Sequence, residues 1–294
     1  MGTALGYALK PLATNTTALP SALPLSPLSP PAPAIVLAAG RGERMRPLTD
    51  NCPKPLLHVH GKPLMQYHLE ALAHGGFGLA IVNTAWLGEQ IEARFGSQIG
   101  IQPPSTLREQ LSNSEQLSAS IALHYSHEGR DFGGALETAG GIARALPQLA
   151  PVFWCMAGDV YAPDFVFTQA AVQRFAASGK LAHLWLVPNP AHHRKGDFGL
   201  DAPDAQGMGL CTDPPTDSTA PRYTYSTFAL FHHALFAAPW CDIAAGNPQG
   251  IKAPLAPLLR KAMAQAQVSA EIYTGRWTDV GTPERLAELN QPTP

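Results

Sequence analysis

The stretch AIVLAAGRGERMRPLTDNCPKPLL, Ala34 to Leu57, decides how the rest of the chain is read. Its first six residues, Ala34 to Ala39, are all apolar, as in a strand buried on both faces. A loop with Gly40, Gly42, Glu43 and the arginines Arg41, Arg44 and Arg46 follows at once. Glycines let backbone N–H groups turn toward an anion at close range, and arginines fork onto phosphate oxygens. The order strand, glycine loop, arginine therefore predicts a phosphate site. Lys54, held between Pro53 and Pro55, adds a point charge on a segment with little backbone freedom. A lone Gly-x-Gly is more often a plain turn, but here the buried strand, arginines and bracketed lysine coincide. No Gly-Lys-Ser/Thr follows, which excludes a Walker A loop, and the spacing Gly-x-Gly-x-x-Met excludes a dinucleotide fingerprint.

The 294 residues suffice for one large core, and the expected organisation is a single domain over 34–290. A net charge of −2 with 14% charged residues offers no basic surface for nucleic acid or anionic lipid. Cys52, Cys155, Cys211 and Cys241 lie far apart, with no Cys-x-x-Cys pair, so they read as reduced cytoplasmic thiols. No apolar run approaches the length of a membrane span. Residues 1–33 carry prolines at positions 11, 20, 24, 27, 30, 31 and 33, and are expected to form a disordered arm without a secretory pattern. No feature specifies an oligomeric state.

Downstream, periodicity predicts a helix after Gly61-Lys62-Pro63, ended by Gly75-Gly76, and a strand from Leu79 to Asn83. Helices over 87–95, 138–146, 165–178 and 253–265 are expected, with strands over 121–125, 151–157, 181–187, 225–231 and 268–273. Such alternation implies an α/β fold, a doubly wound, mostly parallel sheet with helices on both faces. Residues 97–120, rich in Gln, Ser and Pro, are expected to be a surface insertion. A buried strand delivers Gly158-Asp159 at its carboxyl end, where a carboxylate can serve a divalent cation or simply cap a turn. His192 and His193 are adjacent, so on extended backbone they point to opposite sides and do not share an ion. Thr282 and Pro283 have the form of a helix cap and first residue, just after Asp279.

Three motifs, Leu37-Ala38-Ala39-Gly40 with Gly42-Glu43-Arg44, then Pro53-Lys54-Pro55, then Trp277-Thr278-Asp279-Val280-Gly281-Thr282, resemble the sugar-nucleotide pyrophosphorylases. These nucleotidyltransferases join a sugar 1-phosphate to a nucleoside triphosphate, and the resemblance runs in order from Ala34 to Leu289. It implies that Ala39, Gly40, Gly42, Glu43 and Arg44 wrap the triphosphate, and that Lys54 touches the reacting phosphates. It further implies that Asp159 and Asp279 hold Mg²⁺, so that Arg44, Lys54, Asp159 and Asp279 form the catalytic set. Asn83 becomes part of the nucleotide wall, although a cap on the following helix explains it equally well. Gly140, in Glu137-Thr138-Ala139-Gly140-Gly141, is expected against the base and ribose, and Glu137 and Asp197 against the sugar.

Within that family the runs Leu-Ala-Ala-Gly-x-Gly-Glu-Arg-Met-Arg-Pro-Leu-Thr, His-His-x-x-Gly-Asp-Phe and Leu-Ala-Pro-Leu-Leu-Arg are most similar to the N-acetylmuramate α-1-phosphate uridylyltransferases of peptidoglycan recycling. UTP and a sugar 1-phosphate are the implied substrates. Arg194 is then a candidate partner for the lactyl carboxylate, with a solvated basic loop as the alternative. Other members pair mannose 1-phosphate with GTP, glucose 1-phosphate with dTTP or UTP, or phosphocholine with CTP, and a silent nucleotide-sugar sensor is a further alternative. A sensor would be expected to lack Lys54 or an aspartate, and this chain has all three. Two positions depart from the family pattern, Ala157 in place of a small polar residue and Thr227 where glycine is frequent.

Overall fold

The computed structural model describes residues 33–101, 119–201, 203–204, 207–215 and 217–292. The proline-rich arm, apart from Pro33, and residues 102–118 of the expected insertion lie outside them. Among the described residues ten strands form one sheet. Their spatial order is Gly199–Asp201, Gly209–Thr212, Val268–Ile272, Ala182–Val187, Thr224–His232, Val152–Ala157, Ala34–Ala38, Leu79–Thr84, Ala119–His127 and Gln98–Ile101.

The Ala34–Ala38 strand runs parallel to both neighbours, Val152–Ala157 and Leu79–Thr84. Thr224–His232 is antiparallel to the strands on either side of it, which makes the sheet mixed. Residues on successive strand positions alternate between two cores. Ala34, Val36 and Ala38 join Trp154 and Met156 on one face, while Ile35 joins Phe153 and Cys155 on the other. Both faces are apolar because both are covered. The Leu64–His74, Gly88–Phe95 and Gln169–Ser178 helices supply Met65, Leu69, Ile91 and Phe175 to the first core. Glu137–Ala145 and Leu255–Met263 supply Ile142, Leu258 and Leu259 to the second.

From the central strand the chain winds outward through Leu79–Thr84 and Ala119–His127, then crosses back to Val152–Ala157 on the opposite side. The carboxyl ends of the Ala34–Ala38 and Val152–Ala157 strands thus flank a topological switch point, where doubly wound sheets open a crevice. Gly158 N donates to Leu37 O across it at 2.9 Å. The glycine loop and Asp159 emerge side by side as a result.

Element ends shift where tertiary contacts outweigh local pattern. The 165–178 helix begins only at Gln169, because Phe165 stacks on Phe228 at 4.0 Å, Phe167 meets Trp154 at 5.0 Å, and Thr168 Oγ1 caps Ala171 N. The 253–265 helix begins at Leu255, since the backbone of Ala253 is engaged elsewhere: its carbonyl accepts from Ala139 N and Gly140 N, and its N–H donates to Leu136 O. The 97–120 segment has strands at both ends, Gln98–Ile101 pairing antiparallel with the start of Ala119–His127.

Those contacts also bear on Gly140. It is buried, its carbonyl accepts from Asn247 Nδ2 at 3.0 Å, and a Cβ placed on it would lie 2.4 Å from Ile251 O. The glycine admits a neighbouring backbone segment. Gly140→Ala should therefore destabilise the fold by about 2 kcal/mol, overpacking outweighing the gain of roughly 1 kcal/mol in helix propensity. Urea denaturation decides it, and a stabilised variant would contradict this packing.

Candidate active site

The glycine loop is held open by its own geometry. Gly42 has φ 68°, a left-handed conformation that a side chain would strain, and a Cβ there would sit 3.1 Å from Thr49 Cγ2. Thr49 Oγ1 donates to Gly42 O at 2.9 Å, and the Glu43–Met45 turn buries Met45 among Leu57, Leu64, Tyr161 and Val280. Three arginines leave this loop in different circumstances. Arg41 pairs with Glu43 at 2.8 Å and lies over the Trp86 ring, and Arg46 pairs with Asp50 at 2.6 Å. Arg44 has no ion-pair partner among the described residues, and it lines a cleft of about 290 Å³ with Gly40, Gly42, Glu43, Lys54 and Asp159. It is the arginine available to a ligand.

Lys54, only 7% exposed, donates from Nζ to Asp159 Oδ2. A buried ammonium requires such a counter-charge. Asp279 reaches the same region through a two-stranded ribbon, Thr278–Asp279 against Val160–Tyr161, in which Asp279 stands opposite Val160. Arg285 Nη1 donates to Asp279 Oδ2 and to its carbonyl, both at 2.8 Å, and to His192 Nε2 at 2.8 Å. His193 turns instead to Asp197 at 3.1 Å, so the two histidines serve different carboxylates. Beneath the ribbon, His68 is bonded through Nε2 to Val160 O at 2.8 Å; burial pushes its pKa down to about 4, so the neutral ring donates. Among the described residues no cluster of three or more His, Cys, Asp or Glu is arranged to hold a metal. The donor type fits Mg²⁺ nonetheless: Asp159 and Asp279, each about a third exposed, are brought to the ribbon from its two sides, and that ion takes one or two protein carboxylates and completes its shell with phosphates and water.

The larger cavity, about 690 Å³, adjoins the loop cleft, and Leu37, Gly40 and Asp159 line both. At one end stand Ala39, Asn83, Glu137 and Thr138; at the other stand Asp197, Phe198, Thr227, Leu259 and Arg260. Glu137 is exposed and has φ 59°, and Thr227 has φ 75°, so two of the chain's strained non-glycine residues are cavity walls. Asn83 is no helix cap. Its Oδ1 accepts from Ala38 N and its Nδ2 donates to Glu128 Oε1, each at 2.7 Å. Gly140 is not among the lining residues. Asp197 is fixed at the cavity edge by Tyr225 N, which donates to Oδ2 at 2.8 Å. Thr227 Oγ1 accepts from Ala157 N at 3.3 Å, so the two positions that depart from the family pattern touch each other.

Of the two readings open for Arg194, the geometry matches the solvated basic loop. It is exposed, its Nε donates to Ala191 O at 3.3 Å, and it does not line the cavity, because the 190–197 loop turns its basic residues outward. The cavity's arginine is Arg260, on the Leu255–Met263 helix, whose Nε donates to Asp213 at 2.9 Å. Arg285 and Glu128 escaped the sequence reading. Arg260 entered it only as the last residue of the Leu-Ala-Pro-Leu-Leu-Arg run, with no role of its own.

No helix among the described residues is long and apolar enough to cross a membrane. A relative in Neisseria meningitidis serogroup B, an N-acetylmuramate alpha-1-phosphate uridylyltransferase, is 41% identical over 261 residues, covering 87% of this chain and 95% of its own. A second protein of that name, in Caulobacter vibrioides, is 28% identical over 87% of this chain and 97% of its own. Among solved structures, a UDP-glucose pyrophosphorylase complexed with UDP-glucose superimposes with TM-score 0.62 at 14% identity, covering 88% of this chain and 96% of that one. A UDP-glucose pyrophosphorylase from Acinetobacter baumanii gives 0.60 at 15%, covering 87% and 90%. The nucleotidyl transferase family matches residues 33–293, and the chain belongs to that family.

Proposed function

We propose that this nucleotidyltransferase transfers a uridylyl group from UTP to N-acetylmuramic acid α-1-phosphate and releases pyrophosphate. The observation that carries the proposal is the Lys54–Asp159 pair, whose lysine lines the small cleft and whose aspartate lines both cavities. A triphosphate tail in the small polar cleft and a sugar phosphate in the large cavity would meet there. The names of the Neisseria and Caulobacter relatives supply the nucleotide and the sugar.

In the reaction an oxygen of the sugar phosphate attacks the α-phosphorus of UTP in line, and the bond from that phosphorus to the bridging oxygen breaks. The phosphate monoester is already anionic near neutral pH, so no general base is needed. Arg44 and the amides around Gly40 and Gly42 balance the charge of the leaving pyrophosphate. Lys54 orients the phosphates that meet, and its proline-bracketed segment keeps the ammonium in place. Asp159 and Asp279 would hold Mg²⁺, which when bound neutralises part of the triphosphate charge. Arg260 takes the role first expected of Arg194. The lactyl carboxylate of muramate needs a cationic partner in the cavity, and Arg260, which lines it, would exchange its Asp213 partner for that carboxylate.

Asp159→Asn and Asp279→Asn should each lower kcat by about a hundredfold or more; both should fold, Asp159→Asn at reduced stability because it leaves the Lys54 ammonium unpaired. Pyrophosphate release in Mg²⁺ measures this, and wild-type turnover by a folded variant removes that residue from the metal set. Arg260→Ala should cut kcat/KM for N-acetylmuramate 1-phosphate by roughly tenfold or more, against about twofold or less for Arg194→Ala. N-acetylglucosamine 1-phosphate, which has no carboxylate, should respond weakly to both. A panel of triphosphates and sugar 1-phosphates tests the whole reading, which fails if the enzyme prefers a sugar without a carboxylate or a base other than uracil.

A further inference from the structure

A buried chain of polar groups joins the two sides of the cavity's Asn83 end. Ala38 N, at the mouth of the glycine loop, donates to Asn83 Oδ1; Asn83 Nδ2 donates to Glu128 Oε1; and Leu136 N donates to Glu128 Oε2, each bond measuring 2.7 Å. Asn83 is 3% exposed and Glu128 is fully buried. Gly141 leaves the space they occupy, because a Cβ there would lie 2.4 Å from Glu128 Oε1 and 2.7 Å from Asn83 Nδ2. The residues next to the chain's two ends, Leu37 and Ala39 on one side and Ala135 and Glu137 on the other, all line the cavity. Burying a carboxylate is costly, and burial does push the Glu128 pKa up against the effect of its two hydrogen bonds and of Arg144. Packing alone would be served as well by an apolar side chain. A carboxylate that accepts from two elements at once fixes their separation.

We propose that Glu128 is a positioning residue which, through Asn83, sets the distance between the two walls that grip the nucleoside triphosphate. The proposal rests on the nucleotide occupying the Asn83 end, as assigned above. Glu128 touches no substrate in this account and acts through Asn83 and Leu136.

Hydrogen-bond polarity makes the test selective. Glu128→Gln turns an amide N–H toward a donor, either Asn83 Nδ2 or Leu136 N, while Asn83→Asp sets two carboxylates face to face. Combining them exchanges donor for acceptor across the middle bond: the new carboxylate at position 83 accepts from Ala38 N and from the new amide at position 128, whose oxygen accepts from Leu136 N. All three bonds return in a fold of the same shape.

Equilibrium titration with UTP, which requires no second substrate, should show Glu128→Gln weakened by about tenfold and the double variant recovering most of that loss. In steady state the rise should fall on the KM for UTP, with kcat and the KM for the sugar 1-phosphate changed by about twofold or less. Equal losses for both substrates, or a double variant no tighter than the weaker single one, would overturn the proposal. A loss confined to the sugar phosphate would overturn instead the assignment of the cavity ends. If either single variant does not fold, the double variant decides: UTP affinity near the parent's upholds the relay, and an affinity about tenfold lower rejects it. Should the parent bind a triphosphate other than UTP, the uridylyl reading fails separately, and the same variants test the relay with that nucleotide.

Discussion

An ammonium cannot stay buried without a counter-charge, and the site is arranged around the one that Lys54 has found. Its carboxylate, Asp159, comes from the strand beside the one that feeds the glycine loop, so the pair joins the two halves of the switch point. Removing either partner leaves an uncompensated charge at the floor of the crevice. The surroundings are built to hold the pair. Pro53 and Pro55 restrict the lysine's backbone, Gly158 is tied to Leu37 across the crevice, and neutral His68 holds the carbonyl of Val160 just past the aspartate. The ribbon that then brings in Asp279 extends the same fixed turn.

Charge balance at Asp279 follows the same rule. Arg285 satisfies its carboxylate from the last described helix, after Thr282 and Pro283 have started that helix in the required direction. Through His192 the same guanidinium also reaches the 190–197 loop, so the aspartate, the terminal helix and the loop bearing Asp197 are mechanically joined. The fold's distant resemblance to pyrophosphorylases at 14–15% identity is a statement about strand order.

What could be read from residues alone was what local chemistry determines. The all-apolar strand, the glycines before Arg44, the bracketed Lys54 and the carboxylates after buried strands carry their meaning within a few positions. The doubly wound sheet followed from the alternation of periods. Long-range partnerships left no such trace. Glu128 lies 45 residues from Asn83, and nothing near it in sequence announces a buried carboxylate. Gly140 was expected against the nucleotide, but nothing local announces that a Cβ on it would meet Ile251, or that one on Gly141 would meet Glu128. Arg194 sat in a basic run beside Asp197, but a loop's direction is decided by its packing, and Arg260 reached the cavity from 66 residues farther on.

Thr227 carries a consequence for how this enzyme can change. A β-branched residue at φ 75° holds on the order of 1–3 kcal/mol of backbone strain, here within the irregular stretch of the Thr224–His232 strand. Its hydroxyl accepts from Ala157 N, and the residue lines the larger cavity. Glycine at this position would relax the backbone and widen the cavity there in one step. Altering an active site usually lowers stability, which limits how many such changes a protein can accumulate. At position 227 the relief of strain offsets the loss of the bond to Ala157 N, so the cavity can open there without the usual fall in stability.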